Sequence, residues 1–288
     1  MEGIKIVKIT DPEYPKSLKK IKDAPKTLYY RGILPKDSEQ CFAVVGTRHP
    51  SAYGQQAALQ ISQDLINHNI TIVSGLAPGI DTFSHRAAVE MKKRTIAVLG
   101  SGIDEKTIYP RTNLLLSRKI VEYGGCLISE LPEGTNGTRY TFPNRNRIIS
   151  GLSSGVLVVE AKEKSGSLIT ANYAIKQNKK LFAVPGPIYS LNSWGTNYLI
   201  KSGAKLTATV HDILEELKIN QLQLPHKKIE ASSEEERLIL DILKNGAVDI
   251  DKIIEKTKLK ASLVASTLAL MEVSDKVRNL GSNTYSLN

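Results

Sequence analysis

The chain is short of the features that mark several protein classes. It holds two cysteines in 288 residues, Cys41 and Cys126. Both open apolar segments and neither has a CxxC partner, which argues against a disulfide framework or a zinc site and for buried, reduced thiols. The longest apolar runs, such as "GVLVVEA" and "TIAVLG", fall far short of the ~20 residues of a membrane span. The opening "MEGIKIVKITDPEYPK" has no signal-peptide pattern, so a soluble, intracellular protein is expected. No GxGxxG follows the first strong strand, and no Walker GxxxxGK[ST] occurs anywhere. Phosphate-binding loops in this chain therefore do not imply dinucleotide binding or ATP hydrolysis.

Negative charge is also scarce. Thirty-nine Lys and Arg face 29 Asp and Glu, a net of +10, which points to a polyanion partner where a solubility role for lysine does not suffice. Residues 232–288 hold eight basic and nine acidic residues, leaving 31 basic and 20 acidic in residues 1–231. The excess, +11, sits outside the tail.

What is present is an alternation. From residue 41 to about 206, "CFAVVGT", "TIVSG", "TIAVLG", "CLISEL", "GVLVVEA" and "LFAVPG" are separated by amphipathic segments. Continuous apolar strands of this kind predict a sheet covered on both faces, a doubly wound, mainly parallel α/β domain over residues 39–218. Ligands in such sheets bind beyond the strand carboxyl ends, where strand order reverses. Residues 1–38 read as a short appended segment with one helix and one extended piece, too small to fold alone. Residues 219–231, with Pro225, read as a linker. Residues 232–288 read as three helices and a hairpin turning at Gly281-Ser282-Asn283, the order of a winged helix, with Ser233 and Glu236 as a capping box.

The strand ends supply candidate anion contacts. Gly46, Thr47 and Arg48 end the first long strand, where a phosphate can meet the arginine and the start of the helix near Tyr53; a surface carboxylate is the competing partner. "SGLAPGIDTFSHRAA" suits a nest of backbone N–H groups around Gly75. Its Asp81 and His85 fit helix-dipole and packing roles better than acid–base work. "GSGIDEKTIYPRTN" adds Arg111 and Asn113, as ligand contacts or as a plain connection. Ser165, Gly166 and Ser167 precede a helix and fit an anion site or simple capping. In "FPNRNRIISGLSSGVLVVEA", a helix begun at Pro143 places Arg145 with Ile148, Ile149 and Leu152 on the core side. A core-side arginine needs a partner, and Glu130 and Glu160 are the carboxylates in reach. Arg139, Phe142 and Arg147 are expected to face a ligand, Phe142 as a stacking ring or as core.

Taken together, "VVGTRHPSAYG", "IVSGLAPGIDTFSHRAA", "AVLGSGID", "IYPRTN", "LISELPEGT", "FPNRNRIISGLS", "SGSLITANYA", "FAVPGP" and "GTNYLIKSGA" resemble the DNA-processing protein family DprA, also called Smf, over about residues 7–215; the tail resembles that family's winged helix. The resemblance implies an extended Rossmann-like domain that binds single-stranded DNA in a basic pocket, self-associates as a dimer, and helps load the RecA recombinase during natural transformation, with no catalytic activity and no cofactor. Carried over, the pocket comprises Arg48, Arg139 and Phe142, rimmed by Gly46, Thr47, Gly75 and Ser167. Many relatives carry Lys or Arg where this chain has Pro78, so one phosphate contact is either missing here or supplied elsewhere, with Arg111 or Arg147 as the candidates. The family's extra N-terminal helical domain, found in some relatives, is not expected. The tail's net charge of −1 and its Ala, Leu, Val and Ser-rich third helix suit protein contact or a minor DNA role better than duplex reading. The enzymatic alternative is a nucleoside-monophosphate phosphoribohydrolase of the "lonely guy" group, whose PGGxGTxxE is missing; a transcription factor using the winged tail is a third.

Overall fold

The computed structural model describes residues 3–219, 231–243, 248–274, 276–279 and 283–287, and the chain divides into two compact units at Leu222/Gln223. The first is built on nine strands: β1 (Lys5–Lys8), β2 (Thr27–Gly32), β3 (Cys41–Val45), β4 (Thr71–Ser74), β5 (Thr95–Leu99), β6 (Cys126–Ser129), β7 (Gly155–Val158), β8 (Lys180–Ala183) and β9 (Lys205–Leu206). They lie in the order β1-β2-β6-β5-β4-β3-β7-β8-β9. β1 pairs antiparallel with β2, and β2 with β6. All the other ladders are parallel. The order reverses between β3 and β7, the switch point at which ligands bind in such sheets.

Each strand alternates between two cores, as a sheet buried on both faces requires. In β3, Cys41, Ala43 and Val45 enter one cluster and Phe42 and Val44 the other. The first cluster is closed by α1 (Lys16–Lys19), α5 (Thr141–Leu152), α6 (Gly166–Lys176) and α7 (Trp194–Lys201). The second is closed by α2 (Ala52–Asn67), α3 (Ile80–Glu90) and α8 (Val210–Glu216). α4 (Leu114–Glu122) covers a third group around Leu99 and Leu127. Cys41 and Cys126 are buried free thiols; burial pushes Cys41 up to about 12.

The segment before residue 39 has more structure than the expected helix and single extended piece. Its two strands extend the main sheet through β6. Tyr14, Leu18 and Ile21 join the first core beside α5, and the Tyr14 hydroxyl donates to the Pro25 carbonyl at 2.7 Å.

In the second unit α9 (Glu234–Leu243), α10 (Ile250–Thr257) and α11 (Ala261–Val273) enclose Ile239, Leu243, Ile253, Leu268 and Met271. A sheet in the order β10-β12-β11 joins β10 (Val248–Asp249), β11 (Val277–Asn279) and β12 (Thr284–Leu287). The capping box at Ser233 is half reciprocal. Ser233 Oγ accepts the Glu236 N–H, but the Glu236 carboxylate accepts from Ser232 N–H and from Lys276 Nζ at 2.6 Å. Most of the expected linker, and Gly281 and Ser282 of the expected hairpin turn, lie outside the described residues.

Candidate nucleic-acid interface

Five loops meet at the carboxyl edge of the sheet around a hollow of about 980 Å³. Gly46, Thr47 and Arg48 enter from β3, and Arg111 from the long connection after β5. Arg139 and Phe142 enter at the start of α5, and Ser165, Gly166 and Ser167 at the start of α6. All nine were expected to line one site, and the fold brings them to one hollow. Lys106, Tyr109, Lys162 and Lys164 line it too. The sequence reading missed these four, although Lys162 and Lys164 stand directly before the serine turn.

α5 begins at Thr141, two residues before Pro143, so Phe142 lies in its first turn rather than in the loop. Its half-buried ring fits between glycines: a methyl at Gly137 would lie 2.4 Å from Phe142 Cζ, and one at Gly100 2.7 Å from Cδ1. The Arg48 guanidinium sits 5.8 Å from the ring centroid, and Tyr109 meets the ring at 5.6 Å with a 44° tilt. The ring is thus packed against glycine backbone and flanked by a cation and a second aromatic ring. Arg139 lies 4.8 Å from the Tyr140 ring centroid and donates to its hydroxyl at 2.6 Å, which leaves the cation exposed at the rim.

The other two arginines of α5 depart from expectation. Arg145 is on the core side as predicted, but neither Glu130 nor Glu160 is its partner. It donates to the Gly75 carbonyl at 2.6 Å and to the Val98 carbonyl, and its charge is balanced by buried Asp81. Burial pushes Arg145 down to about 10, so it stays charged at neutral pH. Gly75 is required at this contact, since a methyl there would lie 2.6 Å from the guanidinium; it is buried behind Arg145 and does not line the hollow. Arg147, expected to face a ligand, is buried and paired to Glu130 at 2.7 Å. α5 carries the β1–β2 segment on its far side, so its second face is covered as well.

Two expected anion sites are filled by the protein's own carboxylates. Asp81 accepts from the N–H groups of Gly75 at 3.0 Å and Ala77 at 3.4 Å, occupying the predicted nest; burial holds its pKa above the usual range. Glu160 accepts from Ser51 N–H at 2.9 Å and Oγ–H at 2.5 Å, closing the start of α2 near Tyr53. Asn192 Nδ2 also donates to it at 3.3 Å. Thr47 N–H goes to the Glu160 carbonyl at 2.7 Å. His85 Nδ1 meets Thr95 Oγ1 at 2.9 Å, and burial pushes the ring down to about 3, so it is a neutral core histidine. Arg111 donates to the Glu105 carbonyl, while its side chain remains exposed at the hollow.

At α6, Ser165 caps the helix by accepting from Ser167 N–H at 3.4 Å, and the two hydroxyls lie 2.8 Å apart. Lys162 and Lys164 stand immediately before this N-terminus, where the helix dipole also favours an anion. Among the described residues, Arg48, Lys106, Arg139, Lys162 and Lys164 form no salt bridge. The hollow's one carboxylate, Asp81, is buried and engaged. The result is a cationic concavity whose charge is not neutralised internally. No group of three or more His, Cys, Asp or Glu arranged for a metal occurs among the described residues, and none of their helices is long and apolar enough to cross a membrane.

Residues 5–218 match the family model described as DNA recombination-mediator protein A, and residues 223–283 match the DprA winged helix domain. The chain is 43% identical over 223 residues to DNA processing protein DprA of Bacillus subtilis, covering 77% of this chain and 74% of that one. It is 44% identical over 212 residues to protein Smf of Escherichia coli, covering 74% of this chain and 56% of that protein. The solved structure of DprA from Streptococcus pneumoniae is similar at 41% identity and a TM-score of 0.69, covering 74% of each chain. A structure of DNA processing protein A from Helicobacter pylori, described for its single-stranded DNA binding mode, is similar at 29% identity and a TM-score of 0.66, covering 75% of this chain and 95% of that one. With two domain models matched in order and an α/β sheet followed by a winged helix, the chain belongs to the DNA recombination-mediator protein A family, DprA/Smf.

Proposed function

We propose that the carboxyl-edge hollow binds single-stranded DNA by its backbone, without reading sequence, and that the chain, as a homodimer, passes the strand to a RecA-type recombinase. The observation that carries the reading is the set of cations, Arg48, Lys106, Arg111, Arg139, Lys162 and Lys164, gathered in one hollow with no exposed carboxylate to neutralise them. Rows of unneutralised cations bind phosphates. The Phe142 and Tyr109 rings add stacking that every base satisfies equally, and an unpaired strand, unlike a duplex, can turn its bases into a concavity. The similar Helicobacter pylori protein, with its single-stranded DNA binding mode, supports the same assignment. The lining offers no exposed Asp or Glu to act as a general base, which favours a binding protein over a phosphoribohydrolase.

The decisive measurement is the anisotropy of labelled single- and double-stranded oligonucleotides across a salt series, with Arg48→Ala as the variant. Single strands bind more tightly than duplex, and the variant loses about 1–3 kcal/mol, the range of one charge-assisted contact. A dissociation constant unchanged at matched salt would refute the pocket. Transfer to the recombinase predicts faster RecA filament growth on the single strand in the presence of the protein, and equal growth without it would refute that step.

A further inference from the structure

Past the switch point, the same sheet edge changes chemistry. The segment leaving β8 exposes Ile188 at 80%, Tyr189 at 94% and Leu191 at 75%. It then enters α7, where Trp194 and Tyr198 stack with centroids 5.4 Å apart and planes 9° from parallel. Both rings are about half exposed. An exposed cluster of large apolar side chains on one loop marks a binding surface.

This shelf is fixed to the rim of the hollow. Asn192 Nδ2 donates to the His49 carbonyl at 3.1 Å, one residue beyond Arg48. The Ala161 N–H donates to the Asn192 carbonyl and the Gly195 N–H to the Ala161 carbonyl, each at 2.7 Å, immediately before Lys162. Tyr53 Oη donates to the Pro185 carbonyl at 2.8 Å, joining α2 to the start of the segment. β3, β7 and β8 are consecutive in the sheet, so the shelf begins two strand spacings, roughly 10 Å, from the end of β3.

We infer that the shelf is a second subsite for the same polynucleotide. A strand leaving the cations at Lys162 and Lys164 lays its bases on the Trp194–Tyr198 pair and on Tyr189. The inference rests on reading the hollow as a single-strand site. Each nucleotide carries an anion and an apolar face, and the edge presents cations and then rings in that continuity. An apolar protein partner would account for the rings alone.

The chain has one tryptophan among eleven tyrosines, so tryptophan emission, excited beyond the tyrosine absorbance, reports on the shelf and nowhere else. Oligothymidylates of about 4 and about 16 nucleotides, the span of single-strand site sizes, are titrated while label anisotropy follows binding itself. The long strand quenches Trp194 and the short one binds without quenching. Tyr198→Leu, which keeps the reporter, weakens the long strand on the order of tenfold and leaves the short one unchanged. Long-strand binding with constant emission would overturn the subsite while the hollow stands, and so would equal quenching by both lengths. If Tyr198→Leu alters the sedimenting mass with both affinities intact, the shelf is instead a contact between copies. Failure of both lengths to bind overturns the hollow, and the shelf with it.

Discussion

Replacing Arg145 with methionine tests the interior of the site. The guanidinium donates to two strand-end carbonyls, Gly75 and Val98, and its charge acts on buried Asp81, whose carboxylate already titrates high from desolvation. Methionine fills much of the volume but leaves Asp81 as a buried charge without a counter-ion, a loss of about 3–5 kcal/mol. For a unit of this size 1 kcal/mol shifts Tm by roughly 2–4 °C, so calorimetry reads a fall of roughly 6–20 °C. The pH dependence identifies the cause. A carboxyl whose folded pKa is raised favours the folded state at acid pH and penalises it as pH rises. The raise is larger without Arg145, so the deficit is greater at pH 8 than at pH 5, and adding Asp81→Asn recovers part of it. A loss below about 1 kcal/mol, or a deficit indifferent to pH and to Asp81, would refute the pairing.

Other expectations follow from the same geometry. If all six cations of the hollow meet phosphates, log K falls against log salt with a slope of roughly −4, about 300-fold between 50 and 200 mM; Arg48→Ala shallows the slope by about 0.7. Arg147→Ala destabilises the fold by about 2 kcal/mol in urea titration, less than for a fully buried pair because Glu130 is partly exposed, yet leaves that salt slope unchanged; a shallower slope would place Arg147 on DNA after all. His85 is held at about 3 in the fold, below its unfolded pKa of about 6.5. The stability it contributes is complete above pH 6.5 and lost as pH falls toward 3, at up to roughly 1.4 kcal/mol per pH unit. His85→Gln flattens that limb, and an unchanged limb in acid denaturation would show that His85 does not set it.

The parallel sheet was legible because each strand from β3 to β8 is an uninterrupted apolar run, a pattern that two-sided burial imposes and that no loop mimics. The rim was legible for a related reason, since small and polar residues at the ends of such runs must emerge at one edge. Sequence could not reveal which charges the protein consumes itself. Glu160 is 109 residues from Ser51, whose N–H it accepts, and only the fold brings the two together; Asp81 turns back onto the amides of its own loop, at Gly75 and Ala77, where a bound anion was the competing expectation. Lys106 was missed for a similar reason, because it reaches the hollow from the middle of a long connection with no periodicity.

The two arginines of α5 show what decided those assignments. Periodicity put Arg145 inside and, two residues on, turned Arg147 away from it, which is correct about direction and wrong about environment. The far side of α5 is covered by the β1–β2 segment, and the Arg147–Glu130 pair lies close enough to Tyr14 for both charges to act on its phenol. Treating residues 1–38 as an appendage therefore left one helix face apparently free. Once that face is closed, the cations left to the hollow, among the described residues, are those at the strand ends and in the connections between β5 and α6 that meet them. The division of labour among the arginines follows from which of them the core can neutralise.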